Sequence, residues 1–181
     1  MDNNQYYLEL PSLYYNQENL IDLVEGLKDQ WTLYWLPEWE DLEFDRSQQN
    51  FDISVENHQY DPIKQIIQQL PEEIRDTCNC KLKKFPANFV HSLHKDNEEL
   101  PIEKARKSFI HIPISKNASA INFYNDDKKL ICKLEYKMAT LVNTQIYHII
   151  DTPSTDRISL QITLPPNYDW NQIKKIIQQR L

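Results

Sequence analysis

Leu20, Leu23, Val24, Leu27 and Trp31 recur at three- and four-residue intervals behind Asn16, the pattern of one helix face opened by an asparagine cap. Gly26 falls late in that run and either marks its end or weakens it. Ile63, Ile66, Ile67 and Leu70 repeat the spacing behind Asp61-Pro62, read as an N-cap with proline at the first helical position, and Pro71 stops the run. Glu72 to Asp76 adds one more turn. A last helix follows the cap Asp169, with Trp170, Ile173, Ile176, Ile177 and Leu181 facing inward. Elsewhere the period changes from 3.6 to two. Strands are expected around 108–115, 120–125, 129–136, 140–143, 146–151 and 157–164, with a short one at Tyr6–Leu10 and an extended run over Lys81–Leu93. Short strands joined by polar turns predict a mainly β fold, closed or in two sheets, with flanking α-helices. The 181 residues read as one domain: helical support over 1–80, a β core over 81–165 and a closing helix over 169–181.

Composition narrows the function. The net charge of −7 argues against a nucleic-acid-binding surface, which needs a basic footprint. With Gly26 the single glycine, no G-x-G-x-x-G, phosphate loop or G-x-S-x-G elbow can be written. Cys78, Cys80 and Cys132 are too few and too closely spaced for a zinc knuckle and read as reduced, partly buried thiols. The N-terminus Met1-Asp-Asn-Asn-Gln5 is polar and acidic, unlike a signal peptide, and no apolar run has spanning length, so a cytoplasmic protein is expected. Trp31, Tyr34, Trp35 and Trp39 form an aromatic segment, read as a hydrophobic cover on the sheet or a substrate-pocket wall, with a polar loop at 41–50 after it.

The candidate chemistry lies in His91-Ser-Leu-His94-Lys-Asp96 and, about fifty residues later, His148. His94, Asp96 and His148 supply two imidazoles and one carboxylate, the facial triad of non-haem Fe(II) oxygenases, which leaves open positions for a chelating cosubstrate and O2. On an extended strand the two ligands of H-x-D face the same way, and the third must come from another strand. Arg157 opens the alternating run Arg157–Leu164, which puts Arg157 and Ser159 on one strand face and Ile158, Leu160 and Ile162 on the other.

With these residues in order, the chain resembles the 2-oxoglutarate/Fe(II)-dependent dioxygenases over roughly residues 84–164. Ser108-Phe-Ile-His111-Ile-Pro-Ile114, Leu141-Val-Asn143-Thr144 and His148 look most like the aspartyl/asparaginyl hydroxylase branch. The resemblance implies a double-stranded β-helix, a cupin-like jelly roll. It implies Fe(II) on His94, Asp96 and His148, 2-oxoglutarate held at its far carboxylate by Arg157 with Ser159, and His111 touching the cosubstrate. It implies an amino-acid, peptidyl or other small-molecule substrate, with succinate and CO2 released. Family members often carry a glycine before the last-His strand, where this chain has Tyr136-Lys-Met-Ala-Thr140. The rival reading is a non-catalytic jelly roll that holds a structural metal or a ligand.

Other residues have two readings each. His91 is a competing ligand or, three residues before His94 on the expected strand, faces away from it. His111 is a satisfied core histidine or a cosubstrate contact. Arg106 is a solvated charge or a substrate contact, Asn143 a turn closer or a ligand contact, and Tyr124 packs or lines the pocket. Lys95 is expected to point into solvent, and His58 to be exposed. The acidic Asp96–Glu99 run and Asp126-Asp127 are solvated turns or a field that draws a cationic substrate.

Overall fold

The computed structural model describes residues 3–33, 50–57, 59–96, 107–116 and 120–181. Tyr34, Trp35, Trp39, His58, Glu98, Glu99 and Arg106 lie outside the described residues. The helices form where apolar spacing and caps coincide. α1, Gln17–Gly26, starts where the Asn16 side chain accepts from the Asn19 amide, and ends on the glycine. α2 spans Asp61–Ile67, but its N-cap is Tyr60; Asp61 is the first helical residue, where its carboxylate suits the positive end of the helix. α3 is the short turn Glu72–Arg75, and α4 spans Trp170–Arg180 behind a capping box of Asp169 and Gln172.

Strand β1 is Tyr7–Glu9, β2 Thr32–Leu33, β3 Phe51–Val55 and β4 Asn79–Phe85. β5 is Ser108–Pro113, β6 Ala120–Tyr124, β7 Leu130–Glu135, β8 Thr140–Asn143, β9 Tyr147–Ile150 and β10 Arg157–Thr163. They build two antiparallel sheets, a large one ordered β1-β8-β5-β10-β4-β3-β2 and a small one ordered β7-β6-β9. This is the double-stranded β-helix. The N-terminal third gives the large sheet strands as well as helical support, since β3 pairs with β4 along Phe51–Val55. Phe51, Ile53 and Val55 alternate with Asp52 and Ser54, a strand signal too short to stand out beside a polar loop. The extended run expected over Lys81–Leu93 stops at Phe85. Pro86 brings no amide to a ladder, and Asn88 turns the chain with φ 64°, its amide bonding the Pro153 carbonyl at 2.7 Å.

The large sheet separates two cores. On one side Ile53, Leu82, Ile110, Ile112, Leu160 and Ile162 pack against the helices through Leu20, Ile63, Ile67, Ile173 and Ile177. On the other, Phe109 and Val142 meet Phe123, Leu134 and Tyr136 in the barrel interior. Pairing puts His111 opposite Gln161 and Thr140, and Ser159 opposite Lys83 and Pro113, on that interior side. Alternation along β5 and β10 therefore sends aliphatic side chains to the helices and polar ones into the barrel. Among the described residues, no helix is long and apolar enough to cross a membrane.

Candidate functional site

His94 and His148 exchange both backbone hydrogen bonds, at 3.2 and 2.9 Å, as an isolated antiparallel bridge. The Asp96 amide continues the pairing to the Thr144 carbonyl at 3.0 Å. Residues directly opposite in such a pair project from the same face, so the two imidazoles stand side by side, their centroids 4.6 Å apart. Each ring is oriented by a carbonyl two residues earlier: Ser92 O lies 2.8 Å from His94 Nδ1, and Ile146 O lies 2.9 Å from His148 Nδ1. A carbonyl can only accept, so both rings carry a proton on Nδ1, which makes Nε2 the nitrogen that would face a metal. Asp96 Oδ1 lies 3.3 Å from His94 Nε2 and 3.8 Å from His148 Nε2. Adjacent ligand atoms around a metal with bonds of ~2.1 Å stand roughly 3 Å apart at right angles; the three ligand atoms here lie within 4.8 Å of one another, so the set would close on a cation by contracting. Asp96 and His148 are buried while His94 is partly exposed.

The route to this arrangement differs from the expected one. Neither ligand of H-x-D is on a continuous strand: His94 is a lone bridge residue and Asp96 opens a turn. For the same reason His91 does not face away. Its ring lies 4.5 Å from that of His94, and its Nδ1 lies 3.0 Å from the same Ser92 carbonyl. Lys95, between His94 and Asp96, points away from them to the surface. Its Nζ lies 3.1 Å from Asp126 Oδ1 and 4.3 Å from the centroid of the Tyr147 ring. Asn143 closes a turn, accepting from the Gln145 amide and donating to Gln5 O. Tyr124 sits opposite Tyr147 in the small sheet.

The second half of the site starts at the first residue of β10. Arg157 is 2% exposed. Its guanidinium carbon lies 4.9 Å from the centre of the Tyr136 ring and 5.3 Å from that of Phe85. Arg157 Nη2 donates to His111 Nε2 at 3.4 Å; the guanidinium has no acceptor, so the imidazole nitrogen must be bare. Burial, then the Arg157 charge, holds the His111 pKa well below its ordinary value, which keeps the ring neutral. Among the described residues, Arg157 Nε and Nη1 and the Tyr136 hydroxyl are buried without a hydrogen-bond partner. Burial lowers the Arg157 pKa and pushes that of Tyr136 up to about 12, leaving a charged guanidinium beside a neutral phenol. A buried cation with unmade hydrogen bonds is costly, and an anion with acceptor oxygens would satisfy every group left over. Ser159 is buried two residues on, on the same face.

Tyr136 was not singled out in the sequence, where it closes the expected strand 129–136. It stacks on His111 with centroids 3.8 Å apart. The only hint was its place at the end of an alternating strand. The two halves of the site are joined through rings: Arg157 contacts Phe85, Phe85 lies 6.0 Å from His91, and His91 lies against His94.

No family model and no curated protein matches the chain. Solved structures share its fold. A prolyl hydroxylase from Trichoplax adhaerens, in complex with a hypoxia-inducible-factor oxygen-degradation-domain peptide, superposes with a TM-score of 0.65 at 10% identity, over 96% of this chain and 88% of that one. A prolyl-4-hydroxylase from Pseudomonas putida gives 0.56 at 9% identity, over 91% and 95%. A viral collagen prolyl hydroxylase from Paramecium bursaria Chlorella virus-1, in complex with 2-oxoglutarate, gives 0.53 at 7%, over 88% and 94%. At these identities the likeness establishes the fold, and the function has to be argued from the site.

Proposed function

We propose that this chain is a 2-oxoglutarate- and Fe(II)-dependent oxygenase, working as one domain over residues 1–181. The observation that carries the reading is the buried Arg157 guanidinium with Nε and Nη1 unpaired, inside the barrel that also brings His94, Asp96 and His148 together. A structural metal site needs no buried cation left without an anion; a site for a dicarboxylate does. The ligand types agree, since imidazole and carboxylate suit Fe(II) and a three-ligand set leaves positions open.

His94, Asp96 and His148 would hold Fe(II), with the Ser92 and Ile146 carbonyls fixing which imidazole nitrogen faces it. Arg157 would pair with the far carboxylate of 2-oxoglutarate, joined by the Tyr136 hydroxyl as a neutral donor and by Ser159. His111 holds the guanidinium in place and, being neutral, adds no competing charge. The aromatic barrel core of Phe109, Phe123 and Tyr136 keeps water from the clamp. Bound Fe(II), 2-oxoglutarate and O2 would supply the oxidation of a substrate C–H bond, with succinate and CO2 released. For the substrate we favour an amino-acid or peptidyl side chain. Enzymes whose structures share this fold include hydroxylases of proline, among them one bound to a peptide, whereas no likeness singles out the aspartyl/asparaginyl hydroxylase branch.

The test is an anaerobic titration of the metal-free protein with Fe(II) and then 2-oxoglutarate, followed by the visible charge-transfer band of the chelate. The band is expected in the wild type and lost in His94→Ala. Soluble, iron-loaded protein that shows no band with saturating 2-oxoglutarate would remove the oxygenase reading.

A further inference from the structure

We propose that His91 is a reserve fourth ligand of the metal centre, standing aside for a six-coordinate cation such as Fe(II) and swinging onto a four-coordinate one such as Zn(II) to shut the site. The inference rests on the reading of His94, Asp96 and His148 as metal ligands. It goes beyond that reading by giving the centre a second, closed state.

Geometry carries it. The His91 and His94 rings lie 4.5 Å apart with an interplanar angle of 34°, and both Nδ1 atoms approach the one Ser92 carbonyl, at 3.0 and 2.8 Å. That oxygen can only accept, so His91, like His94, carries its proton on Nδ1 and its lone pair on Nε2. Both lone pairs therefore lie on the sides of the rings turned away from Ser92. His91 Nε2 makes no hydrogen bond to a described residue. Phe85 and Phe89, at 6.0 and 5.8 Å, meet the ring edge-on and offer no polar partner. The segment between β4 and the His94 bridge runs outside any strand, so no ladder hydrogen bonds fix the His91 backbone. His91 is not among the three residues whose ligand atoms lie within 4.8 Å of one another, but its ring lies beside that of His94, 4.5 Å away.

The chemistry gives the swing a selective outcome. Zn(II) settles into four tetrahedral protein ligands when they are on offer, and such a filled site is closed. A two-histidine, one-carboxylate set leaves Fe(II) positions for small ligands. Zn(II) also binds nitrogen and oxygen donors more tightly than Fe(II) does, so a fourth imidazole strengthens a capture that excludes the cosubstrate. The chain would thus hold an open iron form and a shut zinc form at one centre.

The experiment measures Zn(II) and Mn(II) affinities of the full-length, metal-free protein by competition with a chromophoric chelator. Mn(II) stands in for an oxygen-stable six-coordinate cation. His91→Phe keeps the ring contacts and removes the nitrogens; His91→Gln is the second variant, in case the first folds poorly. Zn(II) affinity is expected to drop roughly tenfold or more, at least what loss of an outer partner of a ligand costs. Mn(II) affinity should stay within about twofold, well inside the 1.4 kcal/mol of a tenfold change. The Co(II) spectrum should change from intense four-coordinate bands in the wild type to weak bands of higher coordination in either variant. Equal losses for Zn(II) and Mn(II) would mean that His91 only props His94, and no loss for either would make it a bystander; both results overturn the proposal. A 2-oxoglutarate chelate band together with Zn(II) binding indifferent to His91 sinks this inference alone. A missing band with His91-dependent Zn(II) binding sinks the oxygenase reading alone.

Discussion

The two faces of the large sheet do opposite work with neighbouring residues. Leu160 and Ile162 enter the helix-side core, while Ser159 and Gln161 between them enter the barrel. Ile110 and Ile112 flank His111 in the same way. The helix side is aliphatic and closely packed, with Leu82, Ile110, Ile112, Leu160 and Ile162 fully buried. The barrel side buries Asp52, Lys83, His111, Arg157, Ser159 and Gln161. Burying apolar surface stabilises; burying an incompletely paired cation does not. One face therefore supplies the stability that the other uses up in holding groups ready for a ligand.

If that division is right, the largest effect belongs to the metal ligands. His94→Ala or His148→Ala should abolish succinate formation and tight Fe(II) binding, while circular dichroism shows the fold intact. Wild-type turnover by His94→Ala would exclude it as a ligand. Next comes Arg157. A carboxylate buried without its cation costs roughly 3–5 kcal/mol, so Arg157→Met should weaken 2-oxoglutarate about a hundredfold or more by titration, with Fe(II) affinity little changed. The same variant should leave the ligand-free protein as stable as wild type or more so, because a poorly paired buried cation is gone. A drop in its denaturation midpoint would show that Arg157 holds the barrel together.

Leu160→Ala probes the other face. Truncating a buried leucine costs about 2–5 kcal/mol, to be read from urea denaturation, while the folded protein should bind 2-oxoglutarate as before. A selective loss of cosubstrate affinity would break the comparison. The smallest effect is the pH dependence from His111. Its folded pKa is depressed, so the unfolded chain takes up a proton that the folded one refuses. That stability is present above the unfolded value of ~6.5 and lost as pH falls below it, by up to about 1.4 kcal/mol per pH unit. His111→Gln should flatten the difference in stability between pH ~7.5 and ~5.5; an unchanged slope would place the titrating group elsewhere.

What could be read in the sequence follows from the same alternation. β5 and β10 carry a clean period of two, so their faces, and the pairing of Arg157 with Ser159, were legible. The helices announced themselves through caps at Asn16 and Asp169. His91 was misplaced because alternation was extended into a segment where the chain leaves the large sheet at Pro86 and pairs next, with the small sheet, at His94. Tyr136 was missed because its role comes from Arg157 and His111, partners 21 and 25 residues away in sequence but in contact across the barrel. Periodicity describes one strand; a cluster drawn from three needs the fold.

The His94–His148 bridge has a further consequence. Arg157 opens a seven-residue strand that β4 pairs from its first residue and β5 from Ser159 on, whereas the H-x-D segment lies outside any strand and meets the chain at and before β9, through the two bridge hydrogen bonds and the Asp96–Thr144 contact among others. Segments outside a continuous ladder open by local fluctuation more readily than a whole barrel unfolds. At the proposed site, metal exchange would proceed through such an opening, with the rest of the chain closed. A bound cation would slow it by mass action, and the amides of His94, Asp96 and His148 would then report occupancy by slowed exchange while the clamp amides hardly change.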